Sequence, residues 1–160
     1  MITNVALSAL SSLRIAKMRP QTKKVFFHFQ NPGFSLPHRS AIKVALLRLC
    51  RREKLPVESL HFIFCTDLYL RKINQKFLQH TDYTDIITFN YAESGLPVQA
   101  ELYISVDRIR ENAKSYLSPF RKELVRVMFH GLLHLCGYSD KGQKAAIQMR
   151  EKEDFYLRLK

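Results

Sequence analysis

The segment VRVMFHGLLHLC (125–136) constrains the fold most, because drawn as a helix it is apolar around nearly its whole circumference. Ser118-Pro119 opens this helix with proline at the favoured first position, and Gly137 ends it. Such a helix has to be covered on most sides by other elements. The sequence therefore predicts a buried central helix over 119–136, with the rest of the chain packed around it.

Sequence patterns typical of strands and of helices alternate along the chain before the central helix, and one more helical pattern follows it. The predicted strands are 25–31, 59–65, 86–91 and 101–105, and residues 92–99 read as a turn. Further helices are predicted at 40–53 with Ser40 as N-cap, after Thr66 as the cap of a short helix that carries Leu70, Ile73 and Phe77, at 107–116 and at 143–159. The early β-α-β order and the mixture of elements predict an α+β fold with a mixed, roughly four-stranded sheet packed on helices.

Residues 1–22 are basic and Ser-rich, and we treat them as an extension of a single domain at 23–160. The extension has three interpretations: an organellar transit peptide, a basic arm for RNA, or an artefact of start-codon choice with Met18 as the true start. We favour the last. No apolar run reaches about 18 residues, so we expect no transmembrane helix and no membrane association.

The formal net charge is +12, and the surplus lies near the N-terminus. Ten Lys and Arg residues precede Glu53, the first acidic residue, whereas the other 108 residues hold 16 basic and 14 acidic groups. A basic stretch of this kind attracts phosphate backbones, although a solvated face without a specific partner is the alternative. The three cysteines lie in apolar contexts at wide spacings, which is typical of a reducing compartment. We therefore expect a cytoplasmic location.

His130 and His134 are four residues apart, which places both imidazoles on one face of the central helix. This is the spacing by which one helix supplies two ligands to one metal. No histidine follows His134, and the nearest suitable third ligand is Asp140, which Gly137 could bring back by reversing the chain. Alternatively, the histidines are satisfied core residues and Asp140 is a surface turn residue. The buried context favours a metal site with a catalytic water in its remaining position.

Gly131 stands where H-E-x-x-H metallopeptidases carry a glutamate general base. Peptide hydrolysis therefore lacks its usual proton acceptor. A metal can still lower the pKa of a bound water and act as a Lewis acid on a phosphoryl oxygen. The site favours phosphodiester hydrolysis, and the basic surplus points to the same class of substrate.

The segment HGLLHLCGYSD (130–140) resembles the H-G-x-L-H-L-x-G-Y-D-H signature of the YbeY family of endoribonucleases and rRNA maturation factors. TDIITF (84–89) and ELYIS (101–105) resemble two further strands of that family, T-D-V-L-S-F and G-D-I-x-I-S. The resemblance covers roughly residues 23–160. It implies a metal-dependent, single-strand-specific endoribonuclease that acts in 3′-end maturation of small-subunit ribosomal RNA and in ribosome quality control.

The same resemblance implies one zinc ion per chain, held in the family by three histidines. Two map onto His130 and His134, and the third maps onto Asp140, with Ser139 in place of the family's preceding aspartate. We expect ribosomal RNA and the small ribosomal subunit as partners and a monomeric protein. The alternative is a non-catalytic RNA-binding assembly factor with a structural metal, for which Cys136 would have to serve as a fourth ligand.

The resemblance implies less specific roles for other residues of the chain. The family often carries an RNA-handling arginine where this chain has Leu78, and Lys76, Arg71 or Lys72 would replace it electrostatically. Asp85 and Thr84 match the family motif and would support the site or orient substrate, or close a turn before the strand. Tyr138 and Met149 would lie near the metal or pack in the core, and we favour the core for both.

Overall fold

The computed structural model describes residues 24–78 and 83–159, so the predicted extension at 1–22 lies outside the described residues. The strands are β1 (Val25–Phe29), β2 (Val57–Cys65), β3 (Ile86–Asn90) and β4 (Val98–Ser105). The helices are α1 (Arg39–Arg52), α2 (Asp67–Ile73), α3 (Val106–Ser115), α4 (Phe120–Leu135) and α5 (Gln143–Arg158), and a π-helical segment (Asn74–Leu78) continues α2.

The four strands form one mixed sheet in the order β1-β2-β4-β3. β1, β2 and β4 run parallel, and β3 pairs antiparallel with β4 at the edge of the sheet. The α1 crossover between β1 and β2 is the β-α-β unit expected from the sequence, because parallel neighbours require such a connection. The predicted α+β class with a mixed four-stranded sheet is confirmed.

One face of the sheet carries the main core. Leu60, Phe62 and Phe64 of β2 alternate with residues of the opposite face and pack with Leu102 of β4 under α1 and α4. The middle of α4 is buried nearly all round, with Met128 and other apolar residues below 2% exposed. The central helix expected from the apolar run is therefore present.

The opposite face of the sheet carries a smaller core under α2. Cys65, Leu70 and Ile87 are buried there, and Ile73 and Phe89 pack against them. The Thr66 hydroxyl caps α2 by accepting a hydrogen bond from the Tyr69 amide at 3.3 Å, as predicted. The α2 and α4 helices therefore lie on opposite faces of the sheet.

Three local predictions were wrong. Ser40 is not an N-cap, because α1 begins at Arg39 after His38, whose backbone lies in the left-handed region and whose side chain makes no cap bond. Val98 and Gln99 extend β4 instead of forming a turn, since they pair with Val57 and Ser59 of β2. Phe77 is not part of the α-helix that Thr66 caps, because the chain widens into the π-helical segment after Ile73, and its side chain is 56% exposed.

Cys50, Cys65 and Cys136 are free thiols, as expected from their apolar contexts. Burial raises the pKa of each to about 12, so they act as small apolar side chains. None of the helices within 24–78 and 83–159 is long and apolar enough to cross a membrane.

Candidate metal centre

The α4 helix presents His130 and His134 side by side at its C-terminal end. Their Nε2 atoms are 2.9 Å apart, and the ring planes are nearly perpendicular at 88°. Asp140 Oδ2 lies 3.7 Å from His130 Nε2 and 3.8 Å from His134 Nε2. One ligand atom from each of the three residues lies within 4.8 Å of the others, so the sequence-predicted triad is assembled in space.

A reversal of the chain at Gly137 brings Asp140 back to the histidines. Gly137 has a φ of +93°, a region in which side chains with a Cβ are strained. The Gly137 amide donates to the His134 carbonyl and the Tyr138 amide donates to the Leu133 carbonyl, each at 3.0 Å. This is the Schellman ending of a helix, in which a left-handed residue satisfies the last carbonyls. The glycine therefore acts as the sequence predicted.

Each histidine is fixed by a bond from its other ring nitrogen. His130 Nδ1 lies 2.8 Å from Glu153 Oε1 of α5, and His134 Nδ1 lies 2.9 Å from the Tyr138 carbonyl oxygen. An ionised carboxylate and a carbonyl only accept hydrogen bonds, so each Nδ1 carries the proton. Both Nε2 atoms are left with a lone pair directed at the shared space beside Asp140. This is the orientation that metal-binding histidines require.

Two nitrogen lone pairs at 2.9 Å repel each other unless a cation or a proton lies between them. Tetrahedral zinc with Zn–N bonds of about 2.1 Å separates its ligands by about 3.4 Å, a value within the range from 2.9 to 3.8 Å that the three distances span here. Burial disfavours the charged form of His130, but the hydrogen bond and charge of Glu153 outweigh it and raise its pKa. Burial and the neighbouring His130 lower the pKa of His134. The residues present therefore fit a divalent cation, with which one proton competes.

A buried ionic network lies behind His130. Arg126 of α4 is 3.1 Å from Glu153 and 2.7 Å from Asp154. Burial raises the pKa of Glu153, but the bonds from His130 and Arg126 outweigh it and hold the pKa below its ordinary value. Sequence reasoning missed Glu153. The available signal was its position one helical turn after Met149, a residue already considered for the site.

A second cluster holds the loop that carries Asp140. The Tyr138 hydroxyl donates to Glu53 Oε2 at 2.8 Å, and Glu53 also accepts bonds from Lys152 and from the Tyr156 hydroxyl. Burial raises the pKa of Glu53, but these three hydrogen bonds outweigh it and lower the pKa. Tyr138 thus joins the end of α1 to the backbone carbonyl that orients His134. Its ring packs at the edge of the main core, in agreement with the core role that the sequence favoured.

Gly131 lies where α4 packs closely against the sheet. A Cβ at this position would lie 2.6 Å from Ile86 Cδ1, 2.7 Å from Leu102 Cδ2 and 3.2 Å from Thr88 Oγ1. A glutamate therefore has no room beside His130, which gives a steric reason for the missing metallopeptidase base. The same approach places the histidines at the β3 edge of the sheet.

The remaining residues predicted near the site have mainly structural contacts. Asp85 accepts a hydrogen bond from Asn112 at 3.1 Å, and burial raises its pKa although the charge of His130 lowers it. The Thr84 hydroxyl donates to the Ile86 carbonyl at 3.2 Å and closes the turn before β3. Met149 is a core residue, 2% exposed. Cys136 is not in the metal-ligand group, and its thiol is near Cys50 and Glu53 instead.

The basic residues proposed for RNA contact lie on the other side of the sheet from α4. Lys72 and Lys76 are exposed on α2 and the π-helical segment. Arg71 is held by Tyr83, with its Nη1 donating to the Tyr83 hydroxyl at 3.1 Å and its guanidinium 4.9 Å from the ring centroid. The side chain of Leu78 lies outside the described part of the structure.

Comparison with known proteins gives one consistent family. Residues 34–159 match the sequence model of the family described as Endoribonuclease YbeY. The chain is 41% identical over 136 residues to the Endoribonuclease YbeY of Cytophaga hutchinsonii, which covers 85% of this chain and 95% of that protein. The corresponding protein of Amoebophilus asiaticus is 39% identical over 133 residues, covering 83% of this chain and 90% of its own length. The solution structure of TM1509 from Thermotoga maritima superposes with a TM-score of 0.60 at 28% identity, covering 84% of this chain and 87% of that one.

Proposed function

We propose a function for this chain from its family: it belongs to the YbeY endoribonucleases. The family resemblance predicted from the sequence motifs is confirmed. The chain is a nuclease that hydrolyses RNA phosphodiester bonds. Its metal, the residues that act on RNA and the biological substrate are the subjects of the proposal.

His130, His134 and Asp140 bind one divalent metal ion, which we take to be zinc. The convergence of three ligand atoms within 4.8 Å carries this proposal, supported by two Nδ1 atoms that already have acceptors. Three protein ligands leave a position for water, whereas structural zinc sites are closed by four. Within the described residues no fourth ligand joins the group, which favours a catalytic site over the assembly-factor alternative.

Side-chain and backbone groups of the protein would prepare the site for hydrolysis in three ways. Glu153 and the Tyr138 carbonyl accept hydrogen bonds from the two Nδ1 atoms, so both Nε2 atoms are directed at one point. The Asp140 carboxylate is 46% exposed, so it leaves the centre open to a phosphodiester from solvent. Asp85 and Thr84 fix the start of β3 beside α4 and support the site from behind. A bound metal would supply an activated water and polarise the phosphoryl oxygen.

The proposed substrate is single-stranded RNA, specifically the 3′ end of small-subunit ribosomal RNA during maturation and ribosome quality control. The family resemblance and the net charge of +12 support it. Lys76, Arg71 and Lys72 are the proposed electrostatic contacts to phosphates. The protein would act as a monomer in the cytoplasm, in association with the small ribosomal subunit.

Bound metal is tested first, because hydrolysis depends on it. Elemental mass spectrometry of purified wild type should find about one zinc per chain. His134→Ala and Asp140→Ala should lose it, whereas His28→Ala, a histidine on β1 outside the site, should retain it. Wild type that stays metal-free after incubation with zinc would refute the centre, and full metal content in Asp140→Ala would remove that residue from the ligand set.

RNA cleavage is tested on the same proteins. Metal-loaded wild type should cut single-stranded RNA and leave a matched duplex intact, and chelation should abolish the activity until metal is returned. In small ribosomal subunits that carry a 3′-extended ribosomal RNA, wild type should shorten that RNA and Asp140→Ala should not. A metal-loaded protein that binds RNA without cutting it would favour the assembly-factor alternative instead.

A further inference from the structure

We propose that five aromatic residues on the sheet face opposite α4 form a base-stacking platform for the single-stranded RNA substrate. This aromatic platform comprises Tyr69 of α2, Phe77 of the π-helical segment, Phe89 and Tyr91 of β3, and Tyr103 of β4. The inference rests on the proposed function, since it takes RNA as the ligand. It adds a second contact surface, distinct from the metal centre.

The rings of the platform form one connected set. Phe89 lies at its centre, in edge-to-face contact with Phe77 at 5.6 Å and with Tyr103 at 5.9 Å between centroids. Tyr91 stacks beside Phe89 at 6.4 Å, and Tyr69 stacks beside Tyr103 at 6.5 Å. Because each ring is held by a neighbour, the platform is ordered before a ligand arrives, which lowers the entropic cost of binding.

Core packing does not explain the exposure of these rings. Tyr91 is 61% exposed, Phe77 is 56% exposed and Tyr69 is 38% exposed. All three rings contact another ring of the platform and still face solvent. Exposed aromatic rings gathered on a sheet face are the feature on which successive RNA bases stack, and such stacking tolerates any base sequence. The platform therefore suits unpaired bases, whose faces are free, and not a duplex, whose base faces are stacked inside the helix.

The polar groups around the platform also suit RNA. Glu101 accepts hydrogen bonds from the Tyr91 hydroxyl at 3.0 Å and the Tyr103 hydroxyl at 2.8 Å. Burial and the bond to Glu101 raise the pKa of Tyr91 to about 12, so its hydroxyl keeps its proton and the bond to Glu101 holds the ring in place. Lys76 Nζ lies 5.2 Å from the Phe77 ring centroid, where an RNA phosphate flanking a stacked base can reach it.

The position of β3 connects the platform to the metal centre. On one face of this strand, Thr88 and Ile86 lie against α4 at Gly131, and on the other face Phe89 belongs to the platform. β3 is an edge strand, so one RNA strand can pass over the sheet edge and contact both faces. The platform would then hold bases while the phosphodiester lies at His130 and His134.

Binding is measured with metal-free protein, so that failure of the metal centre does not affect the result. The probes are a fluorescein-labelled oligoadenylate and a labelled duplex of equal length, read by fluorescence anisotropy in chelator. Tyr91→Leu and Phe77→Leu keep apolar area and lose the ring. Together they should weaken binding of the single strand about 10-fold or more, since each ring stacks one base. Tyr91→Phe and Phe77→Tyr keep the ring and should bind as wild type.

Tyr116→Leu is the matched control, since Tyr116 is 59% exposed and lies outside the platform. It should leave the affinity for the single strand unchanged. An unchanged affinity in the Tyr91→Leu/Phe77→Leu double variant would overturn the inference. So would an equal loss of affinity for single strand and duplex, or a wild-type dimer that the double variant converts to monomer. A failure to find bound metal leaves this test intact, because chelator is present throughout.

Discussion

Replacing Gly131 with alanine tests how closely α4 is packed on the sheet. The added Cβ would lie 2.6 Å from Ile86 Cδ1 and 2.7 Å from Leu102 Cδ2, both well inside van der Waals contact. Overpacking of this kind costs about 1–3 kcal/mol, while replacing a mid-helix glycine with alanine gains about 1 kcal/mol in helix propensity. We therefore expect Gly131→Ala to lower the free energy of unfolding by about 1 kcal/mol, although helix propensity alone predicts a gain.

The atoms that cause the clash can be identified by a double-mutant cycle. Ile86→Val removes the Cδ1 atom nearest to the added Cβ, so the double variant should be more stable than the sum of the two single changes predicts. We expect a coupling of about 0.5–1 kcal/mol in urea unfolding followed by circular dichroism. Leu102 Cδ2 stays in place, so the rescue should be partial.

Metal affinity in the same variants separates packing from site geometry. His130 precedes Gly131, so a displacement of α4 should also move one ligand, and Gly131→Ala should bind zinc more weakly than wild type in competition with a chromophoric chelator. A variant as stable as wild type or more stable, with no coupling to Ile86→Val, would refute the close packing of α4 on β3.

Four further substitutions, one of which is a control, test other contacts of the site. Glu153→Gln should weaken zinc binding about 10- to 100-fold in chelator competition, because it removes the charged partner of His130 Nδ1. Gly137→Ala and Gly142→Ala both place a side chain at positive φ and should each cost about 1 kcal/mol in thermal unfolding, but only the first should weaken zinc binding. Burial raises the pKa of Asp85, so its ionised form opposes folding above that pKa. Asp85→Asn should therefore stabilise the metal-free protein at pH 7, and the gain should disappear as the pH falls below about 4, where aspartate is protonated in both folded and unfolded states. Thermal melts that run parallel across this range would contradict the assignment.

The parts of the site that the sequence predicted depend on local geometry. His130 and His134 share a helix face because they are four residues apart, and Asp140 follows a glycine that ends the helix. Each step spans fewer than about seven residues, for which the backbone leaves few alternatives. The mixed sheet was predictable for a similar reason, since β-α-β units impose parallel pairing.

The parts that the sequence did not predict depend on contacts between distant segments. Glu153 reaches His130 across 23 residues and Glu53 reaches Tyr138 across 85, so no spacing rule relates either pair. The start of α1 is a local exception: Ser40 has the composition of an N-cap, but the N-cap lies two residues earlier at His38, whose backbone is left-handed. Tertiary packing thus determines which carboxylates lie behind the proposed metal ligands, and local sequence patterns do not encode these contacts.

Metal binding and the docking of α5 are linked through Glu153. Arg126 and Glu153 are 7% and 5% exposed and form a buried ion pair at 3.1 Å, which loss of either charge would break. The carboxylate that neutralises Arg126 also raises the basicity of His130, so the folded contact between α4 and α5 strengthens the affinity of His130 Nε2 for a cation. Since a ligand that binds only the folded state stabilises that state, a metal ion bound at His130 would in turn hold α5 against α4. The last helix contributes none of the three proposed ligands, yet through Glu153 it would contribute to the stability of the proposed metal centre.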